Sequence, residues 1–279
     1  MKTIPIDRKS AEAIHPCVFE SYGVIVNITS NHQHIVDAAG EVARVAMLDN
    51  FRRVSSKAAD YYFDLKLTEA GTYRIFQNGV RIASGRSYKK TFHFFDALVR
   101  VAIGESAKDR VFMHAGVVGW RGKAIVMPAD SFQGKTTLVA ELVKKGAEYY
   151  SDEFAVLDAD GMVYPFARNL TMRTREGSIR QFDVTVDDLG GRLGTGPIPV
   201  GMVILTGYKP NAHWSPELLT PGGGVIGMIP FTLSLQKQPD FSIQVLKNIA
   251  GRAIIARSLR GTAENLAKRL LNFVDKHVN

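Results

Sequence analysis

Ala129-Asp130-Ser131-Phe132-Gln133-Gly134-Lys135-Thr136 is a small residue, four variable positions and then Gly-Lys-Thr. Its flanks decide how it is read. Upstream, Gly122-Lys123-Ala124-Ile125-Val126-Met127-Pro128 has an apolar middle of strand length. Downstream, Thr137-Leu138-Val139-Ala140-Glu141-Leu142-Val143 sets Leu138 above Leu142 and Val139 above Val143 at helical spacing. Strand, loop and helix in that order form a phosphate-binding device rather than a surface turn that spells the pattern by chance. Loop amides and the positive end of the helix surround a phosphate chain. Ala129, Asp130, Ser131, Phe132, Gln133, Gly134, Lys135, Thr136 and Thr137 are therefore expected to hold ATP. Lys135 is expected on the outer phosphates and the Thr136 hydroxyl on Mg²⁺. Ala129 stands where the pattern usually has Gly, a common replacement.

The 279 residues suffice for one large domain or two, and 46% hydrophobic with 22% charged residues is ordinary for a globular protein. The formal charge is +8, but Lys and Arg are scattered in runs no longer than two. The excess is assigned to an anionic ligand or an acidic partner, not to nucleic acid. Cys17 is the single cysteine, which excludes an internal disulfide framework and a cysteine metal cluster and suits a reducing cytosol. No apolar run approaches the roughly 20 residues of a membrane span, and Met1 to Arg8 lacks the apolar segment of a secretory signal. A cytoplasmic protein without a membrane partner is expected.

Residues 1–105 read as a small α+β module. Phe19 to Ile28 is predicted as one strand. Ile35, Val36, Ala39, Val42 and Val45 predict a helix capped by Asn31, and Tyr61 to Leu67 a second strand. Gly71 to Phe76 and Val80 to Ala83 flank Gln77-Asn78-Gly79, a hairpin signal because Asn and Gly tolerate positive φ. Nothing in this module carries recognisable chemistry; recognition, scaffold and oligomer contact stay open. Phe92 to Ala102 predicts a buried helix ending at Gly104 and joining the two modules, with His34 and His93 as packing or surface residues rather than ligands.

Residues 106–279 read as the catalytic domain. Phe112 to Gly119 and Lys123 to Met127 flank Trp120-Arg121-Gly122, a hairpin that feeds straight into the phosphate loop. The helix after the loop ends at Lys144-Lys145-Gly146. Then Asp152 and Glu153 stand side by side between two short apolar runs. Phosphoryl transfer needs a carboxylate in the metal shell and often one that accepts the hydroxyl proton, and this pair suits both tasks. Asp158-Ala159-Asp160-Gly161 is a turn.

The order His114-Ala-Gly-Val-Val, strand, Ala129 to Thr136, helix, Lys145-Gly146, Ser151-Asp152-Glu153-Phe-Ala-Val resembles the catalytic domain of the HPr serine kinase/phosphorylase family, and most closely its divergent HPr-kinase-related branch. The similarity covers residues 111–175 well and the C-terminal third loosely. It implies an α/β fold, a P-loop kinase core of the HPr kinase/PEP carboxykinase-like type, behind the N-terminal α+β module. In that family the histidine before the first core strand, the loop lysine and hydroxyl, and the acidic pair line the active site. The matching positions are His114, Lys135, Thr136, Asp152 and Glu153. The resemblance implies Asp152 as the base toward a serine hydroxyl and Glu153, with Thr136, as a magnesium ligand. Glu153 stands where the family has Asp, and His114 also admits a structural reading. Gly191 to Val200 does not match the family segment Arg-Gly-x-Gly-Ile-Ile-Asn tied to phosphate removal, so a kinase without phosphorylase activity is expected. The N-terminal module does not look like the family's regulatory domain, so the acceptor is left as a protein, a peptide or a small hydroxylated molecule.

Arg168, Arg173, Arg175 and Arg180 follow the acidic pair. Arg173 and Arg175 alternate on one side of a strand, and Arg168 and Arg173 are the candidates for facing phosphate or an acidic substrate, with a solvated strand face as the alternative. Met202 to Tyr208 predicts a buried strand, Pro221-Gly222-Gly223-Gly224 a flexible lid or linker, and Phe241 to Leu259 and Thr262 to Val274 two helices. The apolar stripe Leu266, Leu270, Phe273 and Val274 is read as core or as contact between copies in a homo-oligomer.

The composite expectation is an ATP- and Mg²⁺-dependent kinase acting on a serine or similar hydroxyl. The alternative is an ATP-binding regulatory or assembly module with little or no catalysis. A PEP carboxykinase-like enzyme would need a second metal- and substrate-binding set that the sequence does not display.

Overall fold

Two residues of positive φ, Tyr22 at 49° and Gly23 at 74°, turn the first predicted strand back on itself. A computed structural model describes residues 14–55, 58–130, 133–174 and 180–278. In it the stretch Phe19 to Ile28 is a hairpin, β1 (Cys17–Ser21) and β2 (Val24–Ser30), not one strand. Two consecutive left-handed residues make the tight turn that matches strand twist, and aromatic and β-branched content alone hides it. The protein is mixed α/β with several sheets and divides into two units, one ending at Ile103 and one beginning at Gly104.

The first unit continues with α1 (Gln33–Met47), β3 (Arg52–Arg53), β4 (Tyr61–Leu67), β5 (Tyr73–Gln77), β6 (Val80–Gly85) and most of α2 (Tyr88–Ser106). Its sheet runs β3-β1-β2-β4-β5-β6. Alternate residues Phe19, Val26, Ile28, Phe63 and Leu65 are buried together with Ile35, Val36 and Ala39 of α1 and Phe95 of α2. Asn78 (φ 50°) and Gly79 (φ 82°) form the β5–β6 turn as predicted. Asn31 does not cap α1. The N-cap is His32, without a side-chain bond, because Asn31 is engaged with β4: its Nδ2 donates to the Leu67 carbonyl at 2.7 Å and its Oδ1 accepts from Leu67 N–H at 3.0 Å. His34 and His93 lie on the surface. Nor does α2 stop at Gly104. A side chain there would meet Leu233 at 3.1 Å and Phe112 at 3.2 Å, so this glycine serves close packing rather than a helix end.

The second unit contains β7 (Val111–Trp120), β8 (Lys123–Pro128), α3 (Lys135–Lys144), β9 (Glu148–Ser151), β10 (Phe154–Leu157), β11 (Met162–Tyr164), β12 (Leu170–Thr174) and β13 (Arg180–Val184). β14 (Arg192–Leu193), β15 (Ile198–Tyr208), β16 (Glu217–Leu218), α4 (Pro221–Met228), α5 (Pro239–Ala250), β17 (Ile254–Arg260) and α6 (Ala263–His277) complete it. Nine strands are linked around β7 and β15, while β12 and β13 pair separately. β7 and β8 form the predicted antiparallel hairpin, and β8, β15 and β17 run parallel. Met127, Met202, Ile204 and Ala256 pack against Leu138 and Leu142 of α3 and Leu266 and Leu270 of α6. Val126, Val203 and Ile255 pack instead with Met228 of α4 and Val245 and Ile249 of α5.

Two predictions for the C-terminal third are corrected. Pro221-Gly222-Gly223-Gly224 is the start of α4, not a loop: Thr220 caps it through its Oγ1, which accepts from Gly223 N–H at 3.2 Å, and Pro221 occupies the first turn. The glycines let the helix lie close, since a Cβ on Gly224 would sit 2.2 Å from Ile255. Phe241 to Leu259 is not one helix, because α5 ends at Ala250 and β-branched Ile254-Ile255 opens β17. In the last helix Leu266, Leu270 and Val274 belong to the core, and Phe273 meets Trp214 edge-on at 5.4 Å. No helix among the described residues is long and apolar enough to cross a membrane.

Candidate active site

Three elements meet on one rung of β7. Met127 and Pro128, the end of β8, lie opposite Gly116 and Ala115. On the other edge, β9 and β10 both pair antiparallel with β7, Ser151 opposite Val117 and Phe154 opposite His114. They form one strand line interrupted at Asp152-Glu153, and continuing the register sets Asp152 across from Gly116 and Glu153 across from Ala115. Ala115 N–H donates to the Glu153 carbonyl at 3.0 Å. Ser151 holds the interruption: its Oγ accepts from Glu153 N–H at 3.1 Å and Phe154 N–H at 3.0 Å. The loop thus departs from the rung that presents the acidic pair.

Gly116 makes this rung possible. A Cβ there would lie 2.7 Å from Cγ2 of Val139 and 3.9 Å from the Lys135 Cβ, so α3 could not settle against β7. Val139 is buried and its branched side chain has little freedom to yield. Gly116→Ala is expected to destabilise the unit by about 1–3 kcal/mol, seen as a lower denaturation midpoint; an unchanged midpoint would show that α3 adjusts freely.

Gly134, at φ 73°, precedes α3 in the left-handed conformation. Lys135 is only 9% exposed, and its Nζ donates to the carbonyls of Ala129 at 2.6 Å and Asp130 at 2.9 Å. Two of the three ammonium protons are thereby used inside the loop and one remains for a ligand. Burial lowers the Lys135 pKa to about 8, against the opposing pull of Asp130 and Asp152. The first-turn amides of α3 have no acceptors within the helix, the usual basis of anion capture. Gln133 and Thr137 are exposed, while Ser131 and Phe132 lie outside the described residues.

The Asp152 carboxyl is half-buried, and burial raises its pKa; the Thr136 and Tyr149 hydroxyls and the Arg168 charge act in the opposite direction. A hydroxyl that gives its proton to Asp152 keeps its lone pairs for a metal, so the Thr136–Asp152 pairing fits the expected magnesium position. Tyr149 Oη lies 2.9 Å from Asp152 Oδ1 and 2.8 Å from the Arg168 carbonyl oxygen, which fixes both segments. Among the described residues no three His, Cys, Asp or Glu side chains form a metal cage. Magnesium is commonly held by one or two carboxylates with water and substrate phosphates, so that arrangement does not require such a cage.

Of the expected site residues, Lys135, Thr136 and Asp152 come together, with Arg168 beside Asp152. His114 is half-buried on β7, its ring 6.1 Å from that of Phe154, and Glu153 is partly buried at the interruption. Arg173 lies on β12, but its side chain, like Arg175 as a whole, falls outside what is described. Two residues were not anticipated, Tyr149 and Arg260. Nη2 of Arg260 donates to the carbonyls of Gln133 at 2.7 Å and Gly134 at 2.9 Å. The alternation through Ile254-Ile255-Ala256-Arg257-Ser258-Leu259-Arg260 is the signal that would have marked a strand ending at this arginine. Two shallow cavities of about 340 and 300 Å³ lie elsewhere, one beside Glu105 and Lys237, the other beside Lys123 and His277.

No family model matches the sequence, and no curated protein matches it. Among solved structures, the chain is similar to the Hpr(Ser) kinase/phosphatase from Coxiella burnetii, at 14% identity over 60% of this chain and 95% of that one, with a TM-score of 0.31. That is a distant, fold-level resemblance, and the functional reading rests on the site itself.

Proposed function

We propose that the protein binds a nucleoside triphosphate with Mg²⁺ and transfers the terminal phosphoryl group to a hydroxyl of a protein, a peptide or a small acceptor. The observation that carries this reading is the meeting of the loop's Lys135 and Thr136 with the half-buried carboxyl of Asp152. A loop alone would suit any nucleotide binder; an acid of raised proton affinity beside it suits transfer to a hydroxyl. In this reading the first-turn amides of α3 and Lys135 hold the phosphates, and Thr136 with Glu153 holds the metal. Mg²⁺ neutralises charge on the phosphates when bound. Asp152 accepts the proton of the acceptor hydroxyl, held in place by Tyr149, with His114 nearby on β7. Phosphate removal is not part of the proposal.

Incubation with Mg-ATP labelled at the terminal phosphate, together with hydroxyl-bearing proteins, peptides and small molecules, tests the reading. Formation of a labelled phosphoester that depends on Asp152 supports it. Nucleotide binding without transfer to any acceptor class would favour a regulatory module instead.

The buried ammonium adds a pH dependence. An anion favours the charged form of Lys135, whose pKa without an anion is about 8. Above that pH, binding must first take up a proton, so affinity falls as pH rises, by up to about tenfold per unit. Tripolyphosphate titrations should show this decline, and a flat profile from about pH 7 to about pH 10 would contradict it.

A further inference from the structure

Arg260 is the last residue of β17 and is 3% exposed. The parallel strands β8, β15 and β17 end on the same side of the sheet, where β8 delivers the phosphate loop. Ala256, two positions before Ser258 and four before Arg260, packs among the α3 and α6 side chains, so strand alternation turns Arg260 toward α3. Its partners among the described residues are backbone carbonyls: Nη2 on Gln133 and Gly134, and Nη1 on Gly261 at 3.2 Å. Its Nε is buried without a partner, and the Tyr208 ring lies 5.7 Å from Cζ. Among the described residues this buried cation is offset by carbonyl dipoles and the Tyr208 ring rather than by a carboxylate, a costly placement that points to a role for its position.

Peptide geometry says what that is. The carbonyl of one residue and the N–H of the next point in opposite directions across a trans peptide. Pinning the Gln133 carbonyl turns the Gly134 N–H away from Arg260, and pinning the Gly134 carbonyl, which Arg260 shares with the Leu138 N–H at 3.1 Å, does the same for the Lys135 N–H. These are two of the amides that a phosphate chain would meet. We propose that Arg260 is a positioning residue of the phosphate loop, gripping it from behind so that the Gly134 and Lys135 amides face the phosphates of a bound nucleotide. The proposal rests on the phosphate-loop reading above. Nη2 alone serves both carbonyls, so a lysine ammonium can replace part of its action.

The test is calorimetric titration of the wild type, Arg260→Gln and Arg260→Lys with inorganic tripolyphosphate and with Mg-ATP. Arg260→Gln is expected to lose ~10–100-fold in affinity, by the same factor for both probes because both use the same amides. Arg260→Lys should recover part of that loss. A merely structural arginine would lower the melting temperature while leaving the affinity of the folded protein unchanged. Should Arg260→Gln fail to fold, ¹⁵N spectra of the wild type supply the second readout: the Gly134 and Lys135 amide signals should move on adding tripolyphosphate. Equal affinities of Arg260→Gln and wild type, or unmoved amides in a wild type that binds tripolyphosphate, overturn the role of Arg260 alone. A wild type that binds neither probe overturns the phosphate-loop reading and this role with it.

Discussion

Lys135→Met is expected to weaken Mg-ATP binding by at least ~100-fold and to reduce phosphoryl transfer by ~10³-fold or more, while leaving the fold intact. The ammonium is held inside the loop by the Ala129 and Asp130 carbonyls, poised with one donor for a phosphate oxygen. Methionine keeps the length and the packing of the stem but removes the charge. The fold should survive because burial disfavours the charge in the first place, as its lowered pKa indicates. Circular dichroism and the melting temperature check the fold, and titration with transfer assays checks the loss. A variant that binds and transfers normally would remove Lys135 from the site.

Asp152→Asn is expected to cut transfer by ~10²–10⁴-fold, the range for losing a general base, with nucleotide affinity changed little. The amide oxygen can still accept from Thr136 or Tyr149, so the local arrangement persists while the proton acceptor is gone. Glu153→Gln separates the two acids, since a metal ligand should show its loss as a higher Mg²⁺ requirement. If Asp152→Asn instead abolishes Mg-dependent binding, Asp152 is the metal ligand. If it transfers at the wild-type rate, no base acts there.

The strand and the helix that flank the loop were legible in the sequence because everything that defines them is local. An apolar strand and a helix-spaced run on either side of the loop are enough, and β8 and α3 lie where the spacing expects them. The acidic pair was legible for the same reason, two charges between apolar runs. What the sequence did not display is the rung that joins them. Only the strand pairing sets Asp152 across β7 from Gly116, beside the helix that carries Lys135. Tyr149 and Arg260 escaped notice because their partners are distant or their position looks like core. Arg260 lies 126 residues beyond Gly134, on a segment whose apolar content reads as a continuation of α5. The glycines of α4 misled for a related reason: composition suggests a loop, whereas close packing on Ile255 demands small residues in a helix.

Residues 129–137 and Asp152 are proposed to form one nucleotide site. Calorimetric titration with Mg-ATP tests this most directly. The expected result is saturable binding at one site per chain, displaced by tripolyphosphate and weakened at least ~100-fold in Lys135→Met. Absence of binding by the wild type, or binding that tripolyphosphate does not displace and Lys135→Met does not weaken, would contradict it.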